Sequence, residues 1–437
     1  MTNFSFFSGR ELTDEEIPTI SDLHLFAARP GLSDLPHCHR CGNTSTFSSH
    51  PCARCGKRCT YCRNCIEMGK ISSCTTLYRW TGPEPEHPEK AGTLHWSGIL
   101  STGQKTASDN VWRAIQNGSE HTIWAVAGAG KTEVLFEGIA AALSDGKRVC
   151  IAAPRADVVR ELAPRLEKVF PDTSPAALYG GSPDRHIYSP LVISTTHQLF
   201  RFYEAFDVMI VDEVDAFPYT FDQSLQYAVQ KARKPDSSLI YLTATPETSW
   251  QSEIQSGRRD ATLIPARYHR KPLPVPNMVW CGNWKKSIVP ASVLNWVKEK
   301  EKEKALIFYP HIDTMNKALP IFKNINPRIE SVHAADPLRK EKVEAMRRGD
   351  VPILLTTTIL ERGVTFPGID VAVVGSEDRV FTESALVQIA GRAGRSADCP
   401  TGNIVFFHYG KTGAMVRAIK QINEMNTLGQ KRGLLDP

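Results

Sequence analysis

Ala125-Val126-Ala127-Gly128-Ala129-Gly130-Lys131-Thr132 is the stretch on which the reading of this chain turns. It ends an apolar run that starts at Thr122 (TIWAVA) and opens a segment with helical spacing, Thr132–Leu143. Glycines at a strand-to-helix turn let backbone N–H groups curl around phosphate oxygens, and the helix start adds its positive dipole end. Ala127, Gly128, Ala129 and Gly130 are then the cradle of a nucleotide. Lys131 reaches its β- and γ-phosphates, and the Thr132 hydroxyl ligates Mg²⁺. Ala125 replaces the usual first glycine, so the pattern is A-x-x-G-x-G-K-T. ATP and Mg²⁺ are the expected cofactors.

Such a loop needs an acidic partner, and Phe206–Asp215 (FDVMIVDEVD) supplies one at the end of an apolar strand. Asp212 is placed to hold Mg²⁺ through water and Glu213 to polarise the attacking water. Strand-like runs continue on both sides: RVCIAAP from Arg148, LVIST from Leu191 and SLIYLTA from Ser238. Helix-like segments such as Ala156–Val169 separate them. Short apolar runs alternating with amphipathic helices indicate parallel sheet covered on both faces. The pattern weakens over 256–276, where Pro265, Pro272, Pro274 and Pro276 cluster. It resumes with ALIFYP, IESVHA, VPILLTT, IDVAVVG and GNIVFFH. The fold expected is α/β: two tandem parallel-sheet lobes, residues 93–270 and 271–437, the second ending in a helix.

Ahead of the lobes the texture differs. Residues 1–36 hold six acids and two arginines with little periodicity. They read as a mostly flexible arm, with room for a short helix at Ile17–Ala27. Residues 37–80 form a cysteine module. Residues 81–92 (TGPEPEHPEKAG) read as an extended linker that leaves module and motor separable.

Of 437 residues, 41 % are hydrophobic and 23 % charged, which excludes a wholly disordered chain. No apolar run approaches the ~18 residues of a membrane span. The first residues lack a basic start and a small-residue cleavage site, so secretion is not the first reading. The net charge of +5 permits a polyanionic partner without demanding one.

Eight of the eleven cysteines lie between Cys38 and Cys74. Without an export signal, clustered cysteines point to metal rather than disulfides. A C-x2-C turn presents two thiolates to one Zn²⁺, and Cys38, Cys41, Cys52, Cys55, Cys59, Cys62, Cys65 and Cys74 suffice for two four-thiolate sites. Spacing leaves open whether one or two ions bind and which cysteines share one. Cys150, Cys281 and Cys399 read as small buried hydrophobes. From Arg40 to Arg79 seven basic residues face one acid, Glu67, with Phe47, Tyr61 and Tyr78 among them. That mixture suits stacking and phosphate contacts on a single strand.

The ordered set AxxGxGKT, DEVD, TAT at Thr243–Thr245 and QIAGRAGR at Gln388–Arg395 resembles the superfamily 2 helicases. The resemblance implies two RecA-like lobes. In it Gln104 reads the adenine, and Asp215, Thr243 and Thr245 couple the lobes. Arg155, Thr195, Thr196 and Thr357 touch the nucleic-acid backbone, and Gly363 belongs to the segment linking nucleotide and strand. Gln388, Arg392 and Arg395 act in catalysis, the two arginines as fingers on the γ-phosphate. A finger on a second lobe ties hydrolysis to closure and is worth about 10³–10⁵ in rate.

The order of zinc module, Gln104, two lobes and C-terminal helix is similar to the DNA-uptake motors of natural competence in Gram-positive bacteria. Primosomal restart helicases carry their metal module inside the core and are longer. CTYCRNCIEMGK and TTTILERGVTFPG strengthen the competence resemblance. It implies an ATP-driven motor on single-stranded DNA, cytoplasmic and peripheral at the inner membrane face. Its implied partners are the uptake channel and a phosphoribosyltransferase-like competence protein, and oligomerisation stays open. A restart helicase and a nucleotide-switched scaffold remain as alternatives.

Overall fold

The computed structural model describes residues 4–17, 23–34, 37–286, 289–300, 303–362 and 366–436. The chain forms two compact units. One comprises residues 1–99, 105–123 and 132–262, and the other 100–104, 124–131 and 263–437.

The first large sheet has seven strands in the order Ala261–Ile264, Glu120–Ala125, Arg233–Thr243, Phe206–Val211, Val149–Ala153, Leu191–Thr195 and Ala176–Leu178. Its central neighbours run parallel, with Ile210 opposite both Ile151 and Ile240. Val149–Ala153 and Leu191–Thr195 are buried at every residue, as strands covered on both faces must be. The helix Ala156–Val169 turns Val158, Val159, Leu162, Ala163, Leu166 and Val169 inward, a stripe at helical spacing. The helix expected over Thr132–Leu143 is present in two pieces, Lys131–Val134 and Phe136–Ser144, which break at Leu135.

The second sheet has six strands in the order Asn277–Trp280, Ile404–His408, Ile369–Val374, Lys304–Phe308, Ile353–Thr356 and Glu330–Val332. All its neighbours run parallel. Trp284, Trp296, Phe322 and Phe407 fill one of its faces. Both sheets are RecA-like, and the proline cluster falls between their strands. The chain closes with the helix Gly413–Lys431.

The N-terminal segment departs from the flexible arm expected. Phe4–Phe7 forms a 3₁₀ turn, and Glu11–Thr13 and Phe26–Pro30 pair antiparallel on either side of Thr76–Trp80. Phe7, Phe26 and Trp80 pack ring against ring. The Glu11 carboxylate is buried among Lys231 Nζ at 2.8 Å, Arg79 Nε at 2.7 Å and Arg29 at 2.5 Å. Burial alone would raise the Glu11 pKa, but Lys231 and Arg29 hold it below the ordinary value. Glu16 pairs with Arg201 at 2.6 Å, and an Arg148 nitrogen donates to the Ser8 carbonyl at 2.9 Å. The segment is ordered by charges more than a hundred residues away. Within the helix expected at Ile17–Ala27, Leu23–Leu25 is a single 3₁₀ turn leading into a strand, and residues 18–22 lie outside the described residues.

Residues 81–92 form neither helix nor strand. They are tied down nonetheless, by Lys234 to Glu84 and by the Thr173 hydroxyl to the Ala91 carbonyl. Of the scattered cysteines, Cys150 is buried, Cys281 is half-buried and Cys399 is exposed, against expectation. No described helix is long and apolar enough to cross a membrane.

Candidate nucleotide, strand and metal sites

Gly128 and Gly130 adopt φ of +84° and +75°. Those left-handed values explain why these two positions are glycine while 127 and 129 tolerate alanine. The Ala129 N–H closes the turn on the Val126 carbonyl at 3.1 Å, and Lys131 Nζ lies 3.4 Å from the Ala125 carbonyl. Gln104 is buried, its Oε1 accepting from the Ser101 N–H at 2.9 Å. One residue escaped the sequence reading. Arg267, 1 % exposed, donates to the carbonyls of Ala127 at 3.2 Å and Ala393 at 2.7 Å, and to Gly394. Burial and the neighbouring Arg395 push its pKa down. A lone arginine in a proline-rich stretch carries no pattern that would have found it.

At the end of Phe206–Val211, the Asp212 N–H bonds the Ala152 carbonyl at 2.8 Å, and Asp212 Oδ1 accepts from the Glu213 N–H at 2.8 Å. Glu213 sits at φ +52°, a conformation that costs a non-glycine residue about 1–2 kcal/mol. Such strain is found where function fixes a side chain's direction. The structure brings the three expected coupling residues together. Asp215 accepts the Thr243 hydroxyl at 2.9 Å on one oxygen and the Thr245 hydroxyl at 2.5 Å on the other. The Thr245 N–H in turn bonds the Thr243 hydroxyl at 3.0 Å.

The residues expected to touch a strand reveal a repeat that spacing did not. Leu191–Thr195 passes directly into a 3₁₀ turn, Thr196–Arg201, and the Ser194 hydroxyl bonds the Thr195 carbonyl at 2.9 Å. In the second sheet Ile353–Thr356 leads to Thr358–Leu360, and the Thr356 hydroxyl bonds the Thr357 carbonyl at 3.1 Å. The same device ends one strand of each sheet. Thr195, Thr196 and Thr357 are all buried. Arg155 holds Asp157 in a two-pronged contact at 2.8 and 3.1 Å. Gln388 and Arg392 are buried, and Arg392 Nε donates to the Glu361 carbonyl at 3.0 Å. Arg395 Nε donates to the Gly391 carbonyl at 2.8 Å. Gly363 lies outside the described residues.

The cysteines sort into two sets of four, Cys38, Cys41, Cys62 and Cys65, and Cys52, Cys55, Cys59 and Cys74, each with its sulfurs within 4.8 Å of one another. The sets interleave along the chain, a pairing the spacing left undecided. Tetrahedral Zn²⁺ with bonds of ~2.3 Å needs sulfurs about 3.8 Å apart. Cys38–Cys65, Cys41–Cys62 and Cys52–Cys74 lie at 3.7, 3.6 and 3.7 Å. Hydrogen bonds from Cys38 and Cys41 draw the Cys62 thiol pKa down, and Asn43 Nδ2 supports it at 3.3 Å. The Cys55 N–H brings Cys52 down to about 6. Within the first set the same contacts push Cys41 and Cys65 up. Four sulfurs closed on each other suit structural rather than catalytic zinc.

Residues 3–79 match the family described as the competence protein ComFA N-terminal domain. Residues 98–248 match the type III restriction enzyme res subunit, and residues 285–397 the helicase conserved C-terminal domain. Competence protein ComFA of Bacillus subtilis is 51 % identical over 402 residues, covering 90 % of this chain and 86 % of that protein. This chain belongs to the ComFA family. ComFA of Streptococcus pneumoniae is 37 % identical over 429 residues, covering 96 % of each chain. The structure of S. cerevisiae Dbp5 bound to RNA and ADP BeF3 is similar in fold, with a TM-score of 0.55 at 14 % identity. That likeness covers 75 % of this chain and 91 % of Dbp5. As a ComFA-family chain, this protein is a superfamily 2 helicase-type ATPase of competence, with cysteine groups able to bind zinc.

Proposed function

We propose that the chain is an ATP-driven translocase on single-stranded DNA that serves uptake of transforming DNA. The observation that carries this reading is the strand-to-3₁₀ turn repeated after Thr195 and Thr357. Two equivalent sets of backbone groups, one per RecA-like sheet, suit a repeating phosphate backbone read without regard to sequence. Lys131 and the loop 127–130 hold the ATP phosphates, Thr132 and Asp212 hold Mg²⁺, and Glu213 orients water. Gln104 reads the adenine, and Gln388, Arg392, Arg395 and Gly363 complete the site. Asp215, bonded to Thr243 and Thr245, carries the state of the nucleotide to the strand-binding elements. Arg155 adds a phosphate contact by exchanging Asp157. The protein works at the inner face of the cell membrane, beside the uptake channel and a phosphoribosyltransferase-like partner.

Purified protein should hydrolyse ATP faster with single-stranded DNA than with duplex DNA or RNA, without efficiently opening a long duplex. A grip made mostly on phosphates should weaken steeply as salt rises. Robust unwinding, or stimulation by RNA equal to that by DNA, would move the assignment to a general helicase. Hydrolysis indifferent to any nucleic acid would make it a nucleotide-switched scaffold.

The two cysteine sets would each hold one Zn²⁺, whose role is to cross-link the module. Elemental analysis should find two zinc ions per chain, and Cys74→Ser should leave one. An unchanged zinc content in that variant would remove Cys74 from the ligands.

A further inference from the structure

The segment from Asp215 to the helix Gln223–Ala232 contains Phe217, Tyr219 and Phe221. Tyr219 turns inward and is 6 % exposed. Phe217 and Phe221 turn outward, 74 % and 80 % exposed, their ring centroids 6.5 Å apart at 45°. No large aromatic side chain among the described residues is more exposed. A loose loop does not account for this. The Ala216 N–H bonds the Glu213 carbonyl at 2.8 Å, and the N–H groups of Phe221 and Asp222 both bond the Pro218 carbonyl at 3.0 Å. The Thr220 hydroxyl donates to the Ala216 carbonyl at 3.2 Å, and Asp222 caps the helix by accepting from the Ser224 N–H at 2.9 Å. A locked turn displays both rings.

The surroundings select what the rings meet. Residues 214–226 include no lysine or arginine but two aspartates, Asp215 and Asp222, so the turn itself brings no cation to a phosphate. The helix that follows packs along Thr196–Arg201, and Asp222 is close enough to act electrostatically on the half-buried His197. The turn that displays the rings therefore leads directly into the helix packed on the segment assigned to the phosphate backbone. Two phenylalanine rings expose roughly 300 Å². That is well below the ~800 Å² per partner of a stable protein interface. It matches one or two nucleobases.

We propose that Phe217 and Phe221 form a stacking site for bases of the bound single strand. The proposal rests on the reading that the chain binds single-stranded DNA, and it names where that strand's bases go. Through the Ala216–Glu213 hydrogen bond, a base engaged there bears on the turn that orients the Glu213 carboxylate. Stacking accepts any base, as a motor for unselected DNA requires.

The test compares an oligothymidylate with an abasic strand of equal length, which keeps the phosphates and lacks the bases. Wild type should prefer the oligothymidylate by roughly five- to a hundredfold per stacked base. F217A/F221A should bind both strands alike, close to the wild-type affinity for the abasic strand. Because both rings are exposed, its melting temperature and zinc content should match wild type. F217W/F221W should restore the preference, with tryptophan fluorescence quenched by the oligothymidylate alone. A base preference undiminished in F217A/F221A would overturn the site and leave the pair to a protein contact, while the DNA-binding reading stood. A wild type that binds neither strand would overturn that reading and this site with it.

Discussion

Glu213→Gln should bind ATP almost as wild type does and hydrolyse it at least a hundredfold more slowly. The substitution keeps the size and direction of the side chain, so Asp212 can still hold Mg²⁺ and Lys131 can still reach the phosphates. What it removes is the charge that orients and polarises the attacking water, a contribution of about 10²–10⁴ in rate. The strained φ of +52° aims the side chain by its backbone, so the amide should occupy the same place. Lys131→Ala gives the contrast, with nucleotide affinity itself falling because the cation at the phosphates is gone. Equilibrium binding of a fluorescent ATP analogue, paired with phosphate release, separates the two. Near-normal turnover in Glu213→Gln would show that another group positions the water.

Cys62→Ser should damage the motor as well as the metal module. The linker predicts separable parts, but the structure does not divide that way. Cys38, Cys41, Cys62 and Cys65 belong to the same buried cluster as Phe200, Phe206, Tyr219 and Leu225. Gly42, at φ +73°, lies so close to Tyr227 that a Cβ there would meet its ring at 2.7 Å. Structural Zn²⁺ supplies about 10–16 kcal/mol to small zinc-finger peptides. That is comparable with the whole ~5–15 kcal/mol net stability of a domain. Loss of this ion should lower the melting temperature of the first unit and its ATP hydrolysis together. Cys74→Ser should cost less, since its set is partly exposed and lies outside that cluster. An unaltered melting curve for Cys62→Ser would refute the shared core.

What could be read in advance follows a physical rule. The two sheets and the phosphate loop were legible because their signals are local: continuous apolar strands, helical stripes, and glycines where φ must be positive. The meeting of Asp215 with Thr243 and Thr245 was implied by motif order alone, and geometry accounts for it as one carboxylate serving two hydroxyls. The cysteine pairing was hidden because C-x2-C turns combine in several ways, and only the three-dimensional path chooses. The N-terminal strands were hidden more deeply. Glu11–Thr13 is three residues long, and Phe26–Pro30 lacks clean alternation. Their order comes from Lys231, Arg201 and Arg148, which no window around residue 11 contains. Phe217 and Phe221 escaped because a loop phenylalanine announces itself only once its exposure is known.

The burial of Glu11 against Lys231 sets an order of events during synthesis. When Trp80 leaves the ribosome, the three-stranded sheet has all its strands and both cysteine sets are complete. The Glu11 carboxylate then has Arg29 and Arg79 beside it, but its third cation, Lys231, arrives only after 151 further residues, counted from 80 to 231, have been made. The charge cluster around Glu11 is therefore complete only once the helix Gln223–Ala232 of the first lobe has been made. A fragment cut within residues 81–92 leaves that cluster one cation short, so the smallest piece that holds all three runs past Lys231.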